Sequence, residues 1–305
     1  MNALAEAGHA SFPPGTLRDK LLTVTQRALQ RGALQPIPTD FQYLEDGGIR
    51  FLVRVVRQLA RKPRPSPNDT PERAARKNPF LPYDPDLYVA DASPTHVCLL
   101  NKFNVVAHHL LIVTRAFEEQ ETRLTRLDFE ALWTCLAEFE GLGFYNSGVA
   151  AGASQPHKHL QLVPLPLDPA GPELPIGPVI DSAEISSQAR RLGALPFPHA
   201  IAALQADAGA GPEAAAAEAF DQYRRLLPAI GVPWSAAGER LATPYNLLVT
   251  RQWMLAVPRV RECFHSISCN SLTFAGAMLV RNEEELGVLQ RVGPLAVLRH
   301  VTEEK

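Results

Sequence analysis

The sequence predicts an α+β fold in which helices sit around an antiparallel sheet, and three observations carry that reading. Strand-like runs adjoin in sequence, near 96–100 and 109–114, 143–150 and 158–164, and 246–250 and 253–258. Helical periodicities are mixed among these runs. The chain of 305 residues, 46% of them hydrophobic, is ample for a buried core.

In chain order, Thr16–Arg31 places Leu17, Leu21, Val24 and Leu29 on one side of an amphipathic helix, and Gly32 stands where a helix-ending glycine belongs. Phe41–Val56 has strand character around a Gly47-Gly48 turn. Arg61–Pro85 holds seven prolines among polar and basic residues and reads as an irregular loop. Strands follow near 96–100 and 109–114. Over Leu127–Glu140 the spacing of Leu132, Leu136 and Phe139 is helical, with Gly141 as the terminator. Strands near 143–150 and 158–164 come next, then a Pro/Gly-rich connection over Asp168–Pro178. Ile201–Leu227 is Ala-rich and reads as helix broken at Gly209-Ala210-Gly211-Pro212, with Phe220, Tyr223 and Leu227 forming a face that packs. Strands near 246–250, 253–258 and 272–280 and a last helix from about 283 complete the chain. The reading divides it at 1–168 and 169–305, two parts of one compact unit.

A formal net charge of −2 argues against a nucleic-acid binder, which usually carries a basic face, yet leaves room for a local basic pocket. Cys98, Cys135, Cys263 and Cys269 show neither zinc spacing nor a disulfide framework, which favours a reducing cytoplasm. No stretch reads as a signal peptide or a membrane span.

The most informative segment is Ser154-Gln-Pro-His-Lys-His-Leu-Gln-Leu-Val-Pro164. Side chains of a strand alternate faces, so His157, His159 and Gln161 share one face while Lys158, Leu160 and Leu162 take the other. A row of two imidazoles and an amide suits a ring-nitrogen nucleophile flanked by hydrogen-bonding groups, directed at phosphorus. Surface polar residues or metal ligands would give the same spacing. The preceding Phe144–Ala153 run reads as a strand entering a small-residue turn, where Gly152, Ala153 and Ser154 let backbone N–H groups approach a phosphate. Asn146 and Gln155 add amide donors.

Asn146-x-Gly148 followed by Gly152-Ala153-Ser154-Gln155-Pro156-His157-Lys158-His159-Leu160-Gln161 resembles the histidine-triad superfamily, and within it the diadenosine tetraphosphate phosphorylase (ATP adenylyltransferase) family. The resemblance extends to Leu100–Val106 with His109–Thr114, to Tyr245–Thr250 with Trp253 and Val257-Pro258-Arg259, and to Asn270–Arg281. It implies a histidine-triad-like antiparallel sheet with peripheral helices, the C-terminal part completing the nucleotide site.

The resemblance makes His159 the nucleophile, attacking an α-phosphorus to form an adenylyl-histidine, with His157 fixing its geometry. The other ring nitrogen of His159 must keep its proton and find an acceptor, a backbone carbonyl being the natural one. Gln161 departs from an all-histidine triad: an amide binds phosphate oxygens but is neither acid nor base near neutral pH. A leaving polyphosphate needs little protonation, and inorganic phosphate as acceptor needs no base, which favours transfer over hydrolysis. The implied reaction is diadenosine tetraphosphate plus phosphate giving ATP and ADP, reversibly. Positive charge is expected from Lys62, Lys77 and Arg281, the last at a position where the family would supply a lysine. The resemblance also puts Asn270 and Ser271 in the nucleotide site. A metal held by His108, His109 and His157 finds no acidic partner, so Mg²⁺ is expected on the substrate phosphates.

The alternatives are another nucleotidyl transferase of the superfamily, such as one using hexose-1-phosphate, a dinucleotide hydrolase, and a non-enzymatic dinucleotide sensor. No Cys-x-x-Cys supports the first. The chain is long enough to contain what smaller triad proteins build by dimerising, which favours a monomer without nucleic-acid or membrane partners.

Overall fold

The computed structural model describes residues 12–57, 78–205, 211–234 and 239–304. Helix α1 (Leu17–Gln30) buries Leu17, Leu21, Val24 and Ala28, and Gly32 follows it at φ +70°, in the left-handed region that suits a helix end. Leu29, expected on the packed side, is 47% exposed because Ala28 holds the position seven residues on from Leu21. Strands β1 (Thr39–Asp46) and β2 (Ile49–Val56) form the hairpin expected from Gly47-Gly48, both glycines at positive φ.

Strand β3 (Tyr88–Ser93) has no counterpart in the sequence reading. It lies at a sheet edge and its pairing with β4 (His96–Leu100) slips at two places, so its sequence shows no clean alternation. Strand β5 (Leu110–Thr114) follows, then α2 (Arg126–Leu136), which opens with a Thr125/Asp128 capping box. The helix stops earlier than expected. Gly141 does not terminate it but begins β6 (Gly141–Asn146). On that strand a Cβ at Gly143 would lie 2.8 Å from Leu132 Cδ1, so glycine lets α2 lie close against the sheet.

After β7 (His159–Pro164) and a short α3 (Gly177–Asp181), residues Ala200–Ala203 form β8, paired antiparallel with β10 (Trp253–Pro258). That segment was expected to be helical, and alanine's helical preference is overridden by the neighbouring strand. The Ala-rich helix α4 (Pro212–Ala229) starts with proline in its first turn. Strand β9 (Tyr245–Val249) precedes β10. A small ladder of β11 (Cys263–Phe264) and β12 (Ile267–Ser268) leads to a second departure. The expected strand at 272–280 is a one-turn helix α5 (Ser271–Phe274), capped by Asn270, followed by β13 (Ala277–Val280). The last helix is two, α6 (Glu283–Val292) and α7 (Pro294–Thr302), parted by Gly293.

Eight strands make the main sheet in the order β3-β4-β5-β7-β6-β9-β10-β8, antiparallel throughout. The sheet therefore draws strands from both sides of residue 168. A second sheet, β1-β2-β13, includes one parallel pair. One face of the main sheet carries Leu160 and Leu162 into a core shared with α1, α2 and α4. The opposite face carries Leu142, Phe144 and Val163 into a core shared with the second sheet and the C-terminal helices. On that same face Leu111 and Val113 join Phe80 in a smaller cluster. Strand β7, in the interior of the sheet, presents His159 and Gln161 between these two cores.

Candidate active site

Strands β6 and β7 pair only from Gly141↔Pro164 to Phe144↔Gln161 and then part. Beyond that point the side chain of Gln120 takes the place of a strand. Its Oε1 accepts the N–H of His159 (2.8 Å), and its Nε2 donates to the carbonyl of Asn146 (2.8 Å). Gln120 is itself fixed by its own N–H on Pro156 O at 2.7 Å and is 1% exposed.

His159 Nδ1 lies 2.8 Å from the carbonyl oxygen of His157, so Nδ1 carries the proton and Nε2 carries the lone pair. Burial pushes this imidazole down to about 4, so it is neutral near pH 7. His157 lies just ahead of β7, bridged to Glu119. The Phe80 ring meets both imidazoles, at 5.6 Å and 5.3 Å between centroids, which puts His157 and His159 on the same side. His157 Nε2 donates to Thr114 O (2.8 Å), with Ala116 O at 3.2 Å, and Nδ1 accepts from Asn78 Nδ2 at 2.9 Å. With both nitrogens used, His157 contributes its carbonyl and its packing to the site. Burial lowers its pKa also.

Gln161 Oε1 accepts from His109 Nε2 at 2.9 Å. His109, buried against Phe144, is pushed down to about 4 by desolvation. Lys158 points to the opposite face, as alternation requires, where its ammonium binds Glu118 Oε2 (2.7 Å) and Arg123 O (3.2 Å) near Asp128.

The small-residue turn is built differently from the expectation. Gly148 and Gly152 adopt φ +92° and +87°, and a Cβ at Gly152 would lie 2.7 Å from Cys269 O. Close packing therefore sets Gly152. Its N–H is bound to Val149 O (2.8 Å) and that of Ala153 to Gly148 O (3.0 Å), so neither is a free phosphate donor. Ser154 and Gln155 remain accessible, and among the described residues their N–H groups make no internal hydrogen bond.

Asn146 is turned by the residues beneath it. Its Oδ1 accepts from Asn246 Nδ2 (2.8 Å) and Ser271 N (2.9 Å), and the Ser271 hydroxyl lies 2.7 Å away. The carbonyl end is thus tied back, and among the described residues its NH₂ has no acceptor. Asn270 and Ser271 make structural hydrogen bonds through their side chains. Asn270 Oδ1 caps α5 by accepting from Leu272 N at 3.0 Å, and Ser271 is fully buried behind Asn146. Under this network lies Arg259, 1% exposed, donating to Asn246 Oδ1 (2.5 Å), Cys269 O (3.0 Å), Arg261 O (2.8 Å) and Glu262 O (3.0 Å).

Arg281 is committed elsewhere. Its guanidinium binds Glu285 at 2.7 Å and Ser266 O at 2.9 Å, with more than half of the side chain exposed. Lys62 and Lys77 lie outside the described residues. Gln120, His109, Asn246 and Arg259 were not among the expected site residues. Asn246, Arg259 and His109 fall inside segments that carry the family resemblance, a signal that could have found them. Gln120 sits in a Glu118-Glu119-Gln120-Glu121 run that reads as a solvated surface.

Residues 7–182 match the family model described as Ap4A phosphorylase N-terminal domain, and residues 193–304 that described as ATP adenylyltransferase C-terminal domain. A Saccharomyces cerevisiae diadenosine tetraphosphate phosphorylase is 26% identical over 295 residues, covering 88% of this chain and 89% of that protein. A crystal structure of a yeast Ap4A phosphorylase superposes with a TM-score of 0.76 at 23% identity, covering 95% of this chain and 98% of that one. The same yeast enzyme in complex with Ap4A gives 0.74 at 22% identity, with the same two coverages. These two structures share the fold of this chain.

Proposed function

Since the chain belongs to the Ap4A phosphorylase and ATP adenylyltransferase family, we propose that it converts diadenosine tetraphosphate and inorganic phosphate into ATP and ADP through an adenylyl group carried on His159. The observation that carries the reading is the hydrogen bond from His159 Nδ1 to the His157 carbonyl, which leaves Nε2 as a neutral nucleophile. In the first step Nε2 forms a bond to the α-phosphorus and the bond to the bridging oxygen breaks, releasing ATP. In the second, a phosphate oxygen attacks the same phosphorus and the N–P bond returns its electron pair to Nε2, giving ADP. The NH₂ ends of Gln161 and Asn146 meet the charge on the phosphoryl oxygens. The donor set around His159 is imidazole and amide, which suits Mg²⁺ arriving on the substrate phosphates.

The test is product analysis of purified protein with diadenosine tetraphosphate and Mg²⁺, with and without phosphate. ATP and ADP formed only with phosphate support the reading. ATP and AMP without phosphate make the protein a hydrolase. Nucleotide binding without turnover makes it a sensor, and turnover of hexose-1-phosphate with a nucleotide sugar instead makes it that transferase. The proposal includes a cytoplasmic monomer, the length of the chain and the absence of disulfide spacing in its four cysteines being what supports it. Light scattering should give the mass of one chain. Among the described residues no helix is long and apolar enough to cross a membrane.

Two further outcomes are expected. Gln120→Leu removes the acceptor for the His159 N–H and the donor to Asn146 O, loosening the strand that holds the nucleophile. Turnover should fall about 10–100-fold with a much smaller change in nucleotide KM. A wild-type kcat in this variant would mean that Gln120 only fills space.

The second outcome concerns pH. His159 and His109 both stand at about 4 in the folded protein, below the usual 6.5. The ATP burst without phosphate, which reports the first step alone, should therefore stay level from pH 8 to about 5.5 and fall only below it. Between 4 and 6.5 the unfolded chain binds more protons than the folded one. The stability these two imidazoles contribute is present above 6.5 and is lost as pH falls towards 4. The urea midpoint should accordingly drop between pH 7 and 5. An acid limb in the burst centred on pH 6.5 would show that His159 is solvated as an ordinary histidine.

A further inference from the structure

A side-chain amide has two ends, and a chain of hydrogen bonds decides which end Gln161 shows to the reaction. The chain starts at a group with no choice. The backbone N–H of Phe103 donates to Asn101 Oδ1 at 3.3 Å, which makes the other end of Asn101 its NH₂. That NH₂ lies 3.2 Å from His109 Nδ1 and can only donate, so Nδ1 is the bare nitrogen. His109 Nε2 then carries the proton and donates to Gln161 Oε1 at 2.9 Å. What remains is the NH₂ of Gln161, which among the described residues has no acceptor. His109 is 7% exposed and its burial keeps it neutral, so a doubly protonated ring does not blur the order. Asn101 and His109 are held in register by the backbone bond from Asn101 N to His109 O at 2.9 Å.

We propose that Asn101 and His109 are positioning residues that turn Gln161 so that only its NH₂ meets the reacting phosphoryl group, and that this selects an anion over water as acceptor. The proposal rests on the phosphorylase reading and deepens it. An NH₂ donor binds the oxygens of the adenylyl group and of an incoming phosphate, which attacks without needing to lose a proton. Water attacking the same phosphorus must give up a proton, and an amide oxygen at this place would orient it by accepting a hydrogen bond. Gln161 Oε1 is withdrawn from that role by His109. Asn146 is turned the same way, its Oδ1 tied to Asn246 and Ser271. Both amides thus face the phosphoryl group as donors.

The test compares His109→Leu, which frees Gln161 Oε1, with His109→Gln, whose amide nitrogen restores a donor near the place of Nε2. Products from diadenosine tetraphosphate are followed as phosphate is varied. For His109→Leu the phosphate KM and the AMP-to-ADP ratio should each rise about tenfold or more, and His109→Gln should return both towards wild type. A merely structural loss would lower kcat without moving the product ratio. If folded His109→Leu keeps the wild-type ratio and phosphate KM, the relay is overturned. A second readout needs no turnover: long-range ¹H–¹⁵N correlation of wild-type His109 should show Nε2 protonated and Nδ1 bare. A proton on Nδ1 overturns the proposal even if His109→Leu does not fold. A wild-type protein that makes no ATP or ADP counts against the phosphorylase reading, and the tautomer then decides the relay by itself.

Discussion

His159→Asn is expected to abolish turnover, by about 10⁴-fold or more, while the protein melts near the wild-type temperature and still binds nucleotide. Asparagine is the informative replacement because its Nδ2 can occupy the place of the imidazole Nδ1. It keeps the hydrogen bond to the His157 carbonyl, which measures 2.8 Å in the wild type, and lacks only the nucleophilic nitrogen. The size of the effect follows from the chemistry. Without a covalent carrier, phosphate must approach a phosphorus surrounded by negative oxygens in a single displacement. The neutral imidazole, held at about 4 by burial, divides that approach into two steps between partners of less repulsion. Positioning and the amide donors remain in the variant, so a residual rate above the uncatalysed one is expected. The check is kcat together with acid-stable or acid-labile adenylyl label on the protein after mixing with substrate radiolabelled at the α-phosphate. The wild type should carry acid-labile label, and the variant none. A folded His159→Asn protein that keeps more than about one hundredth of the wild-type kcat would remove His159 from the role of nucleophile.

The row of His157, His159 and Gln161 was legible because alternation along a strand is a local property. His157, His159 and Gln161 follow from period two, and so does Lys158 on the far side. The expected carbonyl partner for the second ring nitrogen of His159 is the carbonyl of His157. What the sequence does not show is which hydrogen bonds the neighbours of this row make. Gly152 and Ala153 stand beside the row, yet their N–H groups close the turn they belong to. Asn270 caps a helix and Ser271 supports Asn146 from behind, contacts that depend on the fold and not on the local motif. Residues 200–203 illustrate the same limit for the fold, since three alanines and an isoleucine carry no signal strong enough to outweigh the strand beside them. Gln120 was invisible for a further reason. Its function depends on two strands parting at Phe144↔Gln161, a tertiary event with no trace in its own acidic neighbourhood.

Arg259→Met should cost about 3–5 kcal/mol of folding stability, the largest loss expected of any single substitution considered. The guanidinium is 1% exposed and is surrounded by oxygens that all accept: Asn246 Oδ1, and the carbonyls of Cys269, Arg261, Glu262 and, at 3.3 Å, Val301. No carboxylate is hydrogen-bonded to it among the described residues, and burial alone brings its pKa down to about 10. It is therefore a buried cation held by dipoles. Removing it strands several acceptors at once, each worth about 1–3 kcal/mol if left unpaired, offset in part by water entering the space. Lysine keeps the charge but offers three donors from one point instead of a planar fork, so Arg259→Lys should lose roughly half as much. The effect reaches the site by a short path. Arg259 holds Asn246 Oδ1 and Asn246 Nδ2 holds Asn146 Oδ1, which leaves the NH₂ of Asn146 for the phosphoryl group in the proposed reaction. With Arg259 gone, Asn246 can turn its amide over, which leaves Asn146 Oδ1 held by Ser271 alone and weakens its orientation. Urea unfolding followed by fluorescence reads the stability, and kcat per folded molecule reads the second effect. A variant within about 1 kcal/mol of wild type would mean that water replaces the guanidinium at little cost, and the turn ahead of His159 would then owe its shape to Gly148 and Gly152 rather than to the charge under it.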